Sequence, residues 1–235
     1  MLLFKHASWE KHFQLDGQKI SVLAVENPST LWKYCTELIG QSNGEAGDFS
    51  ILKNYSEQVF DKLCSVETNI PGLTLNSKKL QTALIKKCSE LSVTPEFEEQ
   101  LRKVSLSLYE FCKTVCQDVG YSIELHESID TAGLFKLFSL SLKETFGSLL
   151  EKLIEYVQVN AEFLKTKIFI FLFLSKFLSR EEIKKFFEHC RFQGISLILI
   201  EESFPQLFNT QEIPNQGLII DYDGFEITKN LKDTE

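Results

Sequence analysis

Two apolar segments that flank a helical pattern constrain this fold more than any other feature of the chain. Residues 168–174 (Ile-Phe-Ile-Phe-Leu-Phe-Leu) form an unbroken apolar run, which is typical of a strand covered on both faces. Ser179-Arg-Glu-Glu182 has the pattern of a capping box and predicts that a helix begins there. Gly194 can end that helix, and residues 195–200 read as a second buried strand. This order predicts a βαβ unit with parallel strands, and therefore an α/β fold.

Strand patterns also occupy both ends of the chain. Residues 20–25 are a mostly buried strand, and the preceding Asp16-Gly17 predicts a hairpin turn after a strand at residues 12–15. Pro28 opens a predicted helix that Gly40 ends. The remaining predicted strands are residues 2–4, 48–52, 59–67, 217–220 and 225–228.

The pattern between these strand-rich ends is helical. Residues 78–91 form one predicted helix, and Thr94-Pro95 begins a second one of about 24 residues. Ser141-Leu-Lys-Glu144 is a further capping-box pattern, and the apolar stripe that follows it is expected to pack against the stripe of the second helix. We therefore predict an α/β head domain from residues 1–76 and 166–235, and an inserted α-helical leg domain from residues 77–165.

The formal net charge of −8 argues on average against nucleic acid, because affinity for the phosphate backbone comes from Lys and Arg. A local basic surface can nevertheless exist in an acidic protein, especially where bound cations neutralise carboxylates. Four lysines project from the face of the predicted helix opposite its apolar residues, as a solvated face or as a phosphate-contacting strip. Three further lysines are added to these four. The candidate DNA-contacting residues are Lys53, Lys78, Lys79, Lys86, Lys87, Lys136 and Lys143.

The sequence offers little for catalysis. The turn after Val25, Glu26-Asn-Pro-Ser-Thr30, has neither the glycines nor the lysine of a phosphate-binding loop, and Glu26 would repel phosphate. The six cysteines include no C-x-x-C pair, and no nucleophile and base stand at a recognisable spacing. We therefore expect no enzymatic activity.

An acidic stretch interrupts the helical part. Glu124, Glu127 and Asp130 are hard oxygen ligands of the kind that calcium prefers, although an ion with six to eight oxygen ligands needs others as well. His126-Glu127 with Asp130 also resembles a zinc-protease helix, but its downstream ligand is missing. The remaining interpretation is a solvated turn in which Asp130 stands at a helix N-terminus.

No apolar run approaches the roughly 20 residues needed to span a bilayer, and the start, Met-Leu-Leu-Phe-Lys-His, lacks the order of a signal peptide. We therefore expect a cytoplasmic protein without membrane contact.

The arrangement of an α/β head, a helical insertion and no working phosphate loop resembles the Csn-two family of type II-A CRISPR systems. The resemblance is strongest in residues 167–174, 177–182, 195–202 and 221–230. It is weaker at Thr74-Leu-Asn-Ser77 and in the acidic residues 121–130, and loose at the N-terminus. The resemblance implies a degenerate P-loop-like head and a ring-shaped homotetramer.

Such a ring is expected to thread onto the ends of double-stranded DNA through a lysine-lined hole, without sequence preference. The resemblance also implies calcium as a cofactor, and Glu124, Glu127 and Asp130 match acidic positions of the family in this stretch. His126 stands where relatives more often have an acidic residue. The CRISPR adaptation integrase and the RNA-guided effector nuclease are the implied partners in spacer acquisition. Two alternatives are a nucleotide-dependent enzyme of P-loop origin and a helical protein–protein scaffold that binds no DNA.

Overall fold

The computed structural model describes residues 1–126, 129–209 and 212–229, and these fall into two compact units. The first unit comprises residues 1–75 and 144–235, and the second comprises residues 76–143. The elements in chain order are β1 (Leu2–His6), β2 (Phe13–Leu15), β3 (Ile20–Val25), α1 (Pro28–Ser42), β4 (Phe49–Lys53), β5 (Ser56–Gln58), α2 (Phe60–Leu63), β6 (Cys64–Glu67), α3 (Lys78–Ser92), α4 (Pro95–Gln117), α5 (Thr131–Leu137), α6 (Leu149–Leu164), β7 (Ile168–Leu172), α7 (Arg180–Phe192), β8 (Ser196–Glu201), β9 (Asn215–Ile220) and β10 (Glu226–Lys229).

The first unit contains two sheets. Four antiparallel strands form the smaller sheet in the order β2-β1-β4-β5, and six strands form the larger one in the order β10-β9-β3-β8-β7-β6. In the larger sheet β10 alone runs antiparallel to its neighbour. The predicted βαβ unit is confirmed, because β7 and β8 pair in parallel and α7 connects them.

A continuous apolar core joins the two sheets, because every residue of β3, β7 and β8 is buried. Alternate side chains of β7 point to opposite faces: Ile168 and Ile170 contribute to the core that also contains Phe4 and Phe49 of the smaller sheet. On the other face the ring of Phe171 lies 5.7 Å from that of Phe186 in α7. The predicted α/β class is therefore confirmed, with helices covering the face of the larger sheet that the smaller sheet leaves open.

The capping box at Ser179 forms as predicted. Its hydroxyl accepts the Glu182 main-chain N–H, and Glu182 Oε2 accepts the Ser179 N–H at 2.8 Å. Hydrogen bonds from the Ser179 hydroxyl and N–H hold the pKa of Glu182 below its usual value. Gly194 follows the helix with φ of +67°, a conformation in which glycine is favoured because it has no Cβ.

Three predicted features are wrong. The hairpin around Asp16-Gly17 does not form, because β2 pairs with β1 while β3 enters the larger sheet. Residues 59–67 are not one strand but the short helix α2 followed by β6. The helix expected from Ser141 begins instead at Leu149, after the cap Ser148.

This later start also corrects the domain boundary predicted at residue 165. Leu153 and Val157 of α6 are completely buried and belong to the first unit, so the inserted unit ends at residue 143. The stripe of α6 therefore belongs to the first unit, which corrects the prediction that it shares one helical leg with the stripe of α4.

The second unit is built from α3, α4 and α5, with Ser77 and Asp130 as the N-caps of α3 and α5. The longest helix, α4, has 23 residues, close to the predicted length. Within the described parts of the chain, none of the helices combines the length and the apolar character required to cross a membrane.

Candidate functional site

The seven candidate DNA-contacting lysines are all exposed. Four of them lie on α3, where Lys78 and Lys79 follow the cap Ser77 and Lys86 lies 3.9 Å from Glu90. The first turn of α3 contains no acidic residue, and its last turn contains no basic residue. This distribution is opposite to the one that the helix dipole favours, since its positive end is the N-terminus.

The other three candidates lie on different elements. Lys53 ends β4, next to a two-residue turn in which Asn54 and Tyr55 both have positive φ and Tyr55 is 98% exposed. Lys136 stands in the last turn of α5, and Lys143 is the last residue of the second unit. Six of the seven lysines therefore belong to the second unit, and Lys53 belongs to the first.

The acidic stretch is only partly described. Glu124 and Asp130 are exposed, whereas Glu127 lies outside the described residues. Asp130 Oδ1 accepts the main-chain N–H of Ala132 at 3.0 Å, so this carboxylate caps α5. A Cβ on residue 133 would lie 2.8 Å from Asp130 Oδ2 and clash with it. Gly133, which has no side chain, therefore allows the carboxylate to take this position.

The described residues alone do not make a calcium site. Glu124 and Asp130 supply at most four carboxylate oxygens, one of which already accepts a helix N–H, whereas calcium takes six to eight oxygen ligands. Further ligands would have to come from Glu127, from carbonyl groups, from water or from another chain. His126 and Asp130 line one cavity of about 340 Å³ together with Tyr109 and Cys112 of α4.

The turn after β3 lies where a phosphate-binding loop would lie, but a side chain of the same chain accepts its N–H groups. Asn27 caps α1, and its Oδ1 accepts the N–H groups of Ser29 at 3.0 Å and Thr30 at 3.3 Å. Its Nδ2 donates to the carbonyl of Tyr222 at 3.1 Å, which fixes the side chain in this position. The helix N–H groups that would bind a phosphate are thus paired with a neutral side chain of the same chain.

The carboxylates at the same edge of the larger sheet have structural partners. Glu201, the last residue of β8, is 1% exposed and accepts the Ser175 N–H at 2.9 Å. Its burial raises the pKa of Glu201, although the hydrogen bond from Ser175 opposes that change. Glu202 pairs with Lys176 at 2.6 Å. Both carboxylates of this acid pair thus have partners within the protein at the end of the strand.

The second unit exposes an unusual amount of apolar surface. Along Pro95–Gln117, all of which is described, no residue is buried, and Phe111 is 65% exposed. Beside this helix, a cavity of about 380 Å³ is lined mainly by apolar side chains of α3, α4 and α5, among them Leu91, Leu101 and Leu134. Contiguous apolar surface of this kind typically marks an interaction site.

One group of potential ligands was missed by sequence analysis. His6, Glu37 and Asp48 bring ligand atoms within 4.8 Å of one another, and they are the one such group among residues 1–126, 129–209 and 212–229. Intervals of 31 and 11 residues separate them. No local motif could have signalled the group. The pairing of β1 with β4 brings His6 close to Asp48, and Glu37 reaches them from the helix α1.

Known proteins share both the sequence pattern and the fold of this chain. The sequence model of the family described as "CRISPR-associated protein (Cas_Csn2)" matches residues 41–223. The CRISPR-associated protein Csn2 of Enterococcus faecalis is 21% identical over 199 residues, which cover 82% of this chain and 87% of that protein. The crystal structure of Stu0660 of Streptococcus thermophilus aligns with a TM-score of 0.61 at 12% identity, covering 99% of this chain and 76% of the other. At this identity the structural similarity shows a shared fold.

Proposed function

Because the chain belongs to the Cas_Csn2 family of CRISPR-associated proteins, we propose that it is a non-catalytic, sequence-independent binder of double-stranded DNA. Family membership supports a role in CRISPR adaptation, and the proposal assigns the protein the task of holding DNA ends while new spacers are acquired. The adaptation integrase and the RNA-guided effector nuclease are its proposed partners. Contacts would go to phosphates, which carry no sequence information directly.

The observation that carries the proposal is the placement of Lys78 and Lys79. Both stand in the first turn of α3, where a positive charge opposes the helix dipole and costs about 0.3–1 kcal/mol per residue. Acidic residues at these positions would stabilise the helix instead. A phosphate placed against this turn would gain from the two ammonium groups and from the positive end of the dipole together. Lys86 and Lys87, about two turns further, extend the positive surface along the same helix.

Self-association is part of the same proposal. We propose that the exposed apolar surface of α4 and its neighbours is covered by further copies of this chain, in a ring-shaped homotetramer. An exposed apolar helix face is costly in water, and burying it stabilises an assembly by about 25 cal/mol per Å². A closed assembly would also place several copies of the α3 lysines around one DNA molecule.

Calcium is part of the proposal as a cation that reduces the negative charge near DNA. The net charge of −8 and the exposed carboxylates Glu124 and Asp130 support this role. An ion held there would neutralise charge in the unit that contains six of the seven candidate lysines.

A single gel-shift series tests the proposal. Linear duplex and closed circular duplex of the same sequence are titrated with the protein, with calcium or with a chelator, at low and high salt. We expect retention of linear DNA over circular DNA, weaker binding after chelation, and a steep loss of binding with salt. Equal retention of closed circles would contradict threading onto ends, and insensitivity to chelator would contradict the role of calcium.

The two alternatives predict different outcomes, the first in a nucleotide-binding measurement and the second in the same gel shifts. A nucleotide-dependent enzyme would bind ATP, which the Asn27 cap of α1 disfavours because it occupies the helix N–H groups. A protein–protein scaffold would retain no DNA at low salt in the presence of calcium, and that result would favour the exposed apolar surface of α4 as its functional face.

A further inference from the structure

A second polar site lies in the first unit and includes none of the candidate lysines. His6 is the last residue of β1, Glu37 lies on α1, and Asp48 directly precedes β4. His6 is 1% exposed and Glu37 is largely buried, whereas Asp48 is exposed. Three structural elements thus converge on one small polar group that opens to solvent on the Asp48 side.

The geometry fits three ligands of one metal ion. His6 Nε2 lies 3.3 Å from Glu37 Oε2. In a tetrahedral zinc site with bonds of about 2.0–2.1 Å, neighbouring ligand atoms lie about 3.3 Å apart. The ligand atom of Asp48 lies within 4.8 Å of the other two, and its exposed side chain has room to close that distance. Glu37 Oε1 accepts the Asp48 main-chain N–H, which leaves Oε2 as the oxygen that can bind the ion.

The charge balance also favours a bound cation. Two carboxylates lie close together, and neither Glu37 nor Asp48 forms an ion pair with any described Lys or Arg. Like charges this close repel each other, and a divalent ion between them would remove the repulsion.

The surroundings of His6 hold its ring in place. The ring centroid lies 4.7 Å from the rings of both Tyr34 and Phe49. On the far side of the ring, Nδ1 lies 2.7 Å from the Ser8 hydroxyl and accepts the Ser8 main-chain N–H at 3.1 Å. Nε2 therefore carries the ring proton in the ion-free state and donates it to Glu37. Metal-binding histidines commonly donate the N–H of the second ring nitrogen to an acceptor, and the Ser8 hydroxyl can take that role once Nδ1 is protonated.

We propose that His6, Glu37 and Asp48 form a binding site for a divalent transition-metal ion of the zinc class, which joins α1 to the smaller sheet. One imidazole and two carboxylates suit such an ion, and three protein ligands leave a position for water. On binding, the ion takes the Nε2 lone pair. The ring proton leaves Nε2 and Nδ1 is protonated through solvent in its place. Nδ1–H then donates a hydrogen bond to the Ser8 hydroxyl 2.7 Å away, and the Ser8 amide gives up its bond to the ring.

Zinc stabilisation of the full-length protein tests the site. Zn²⁺ is expected to raise the thermal unfolding temperature of the wild type, because an ion that binds only the folded state stabilises it. Asp48→Asn removes one ligand but leaves the pair of His6 and Glu37 intact, and is expected to weaken zinc binding about tenfold or more. The matched control is Asp61→Asn, an exposed aspartate on α2 outside the group, which is expected to respond as the wild type does.

Free cysteines make a second readout necessary, since Cys112 is exposed and thiolates bind zinc. Co²⁺ is used as a spectroscopic substitute for this purpose. The proposed site has nitrogen and oxygen ligands, so its cobalt spectrum is expected to lack the sulfur-to-metal charge-transfer band and to disappear in Asp48→Asn. Spectra dominated by that band, or equal zinc responses in Asp48→Asn and Asp61→Asn, would overturn the proposal.

Discussion

The Tyr156 hydroxyl donates a hydrogen bond to Glu67 Oε1 across 2.6 Å, and the two residues are 89 positions apart in the chain. Tyr156 lies on α6 and Glu67 ends β6, the edge strand of the larger sheet. Burial, and then the neighbouring Glu67, raise the pKa of Tyr156, so the hydroxyl stays protonated and remains a donor. All residues of the second unit lie between these two positions in sequence.

Removing the Tyr156 hydroxyl measures how much its hydrogen bond stabilises the packing of α6 in the first unit. We expect Tyr156→Phe to lower the free energy of unfolding by about 1–3 kcal/mol, because Glu67 then keeps a buried carboxylate with one donor fewer. Urea unfolding measures the change. Tyr121→Phe removes the hydroxyl of an 82% exposed tyrosine and is the control. Equal stability of the two variants would show that the bond contributes nothing.

Replacing the lysines at the start of α3 separates stability from DNA binding. In Lys78→Gln/Lys79→Gln we expect the free energy of unfolding to rise by about 0.3–1 kcal/mol per residue, because two positive charges are removed from the positive end of the helix dipole. Affinity for linear duplex is expected to fall. The slope of log K against log salt is expected to become shallower by about 0.9 for each DNA phosphate that the variant no longer neutralises.

The adjacent pair Lys184 and Lys185 on α7 provides the matched control. Lys184→Gln/Lys185→Gln changes the net charge equally, so an equal loss of affinity would mean that overall charge, and not the start of α3, governs binding.

Asp130 allows its capping role to be separated from the proposed calcium role. Asparagine is as good an N-cap as aspartate, so Asp130→Asn is expected to leave α5 capped. Its loss of charge is expected to raise the calcium concentration needed for DNA binding in gel shifts. Asp130→Ala should have the same effect on calcium and in addition cost about 1 kcal/mol of stability. An unchanged calcium requirement in both variants would remove Asp130 from the proposed site.

The exposed stripe of α4 is expected to hold the assembly together. Phe111→Ser should lower the molar mass measured by light scattering at a given protein concentration, because the variant buries less apolar surface when copies associate. Phe192→Ser on α7 replaces an even more exposed ring, at 88%, outside the stripe and serves as control. A mass that drops only in the control would place the interface on the first unit.

Glu201 gives a pH-dependent prediction. Since burial raises its pKa in the folded protein, the folded state favours the protonated carboxyl, and that contribution to stability is lost as pH rises through the raised pKa. Glu201→Gln keeps the acceptor for the Ser175 N–H but does not titrate. We expect the stability of this variant relative to the wild type to increase as pH rises from about 4, the ordinary pKa of a glutamate, through the raised pKa of Glu201. Denaturant midpoints across this range provide the measurement, and a constant difference would contradict the expected titration.

The sequence predicted correctly where local and tertiary preferences agree. The Ser179 box is followed by a helix whose apolar residues face the sheet, so the local signal and the packing point to the same structure. The same pattern at Ser141 failed because partners distant in sequence compete for its groups. Glu144 accepts hydrogen bonds from the Thr74 hydroxyl and from the Leu75 N–H, at 2.6 and 2.8 Å, and so does not cap a helix.

The helix uses a second occurrence of that pattern, seven residues later. The Ser148 hydroxyl accepts the Glu151 N–H at 3.2 Å, and Glu151 Oε2 accepts the Gly147 N–H. Both sites place a serine three residues before a glutamate, so only the tertiary partners of Glu144 distinguish them. The same limit applies to His6 and Glu37, which meet only because β1 and α1 pack together. Packing between elements that are distant in the chain leaves no trace in local spacing.

The Asn27 cap has a consequence for how the first unit depends on its surroundings. A helix end that binds a nucleotide is filled or empty according to the supply of that nucleotide. The end of α1 is filled by a group on its own chain, whose effective concentration is set by covalent geometry and never changes. The capping of this end of the helix therefore does not depend on the concentration of a nucleotide.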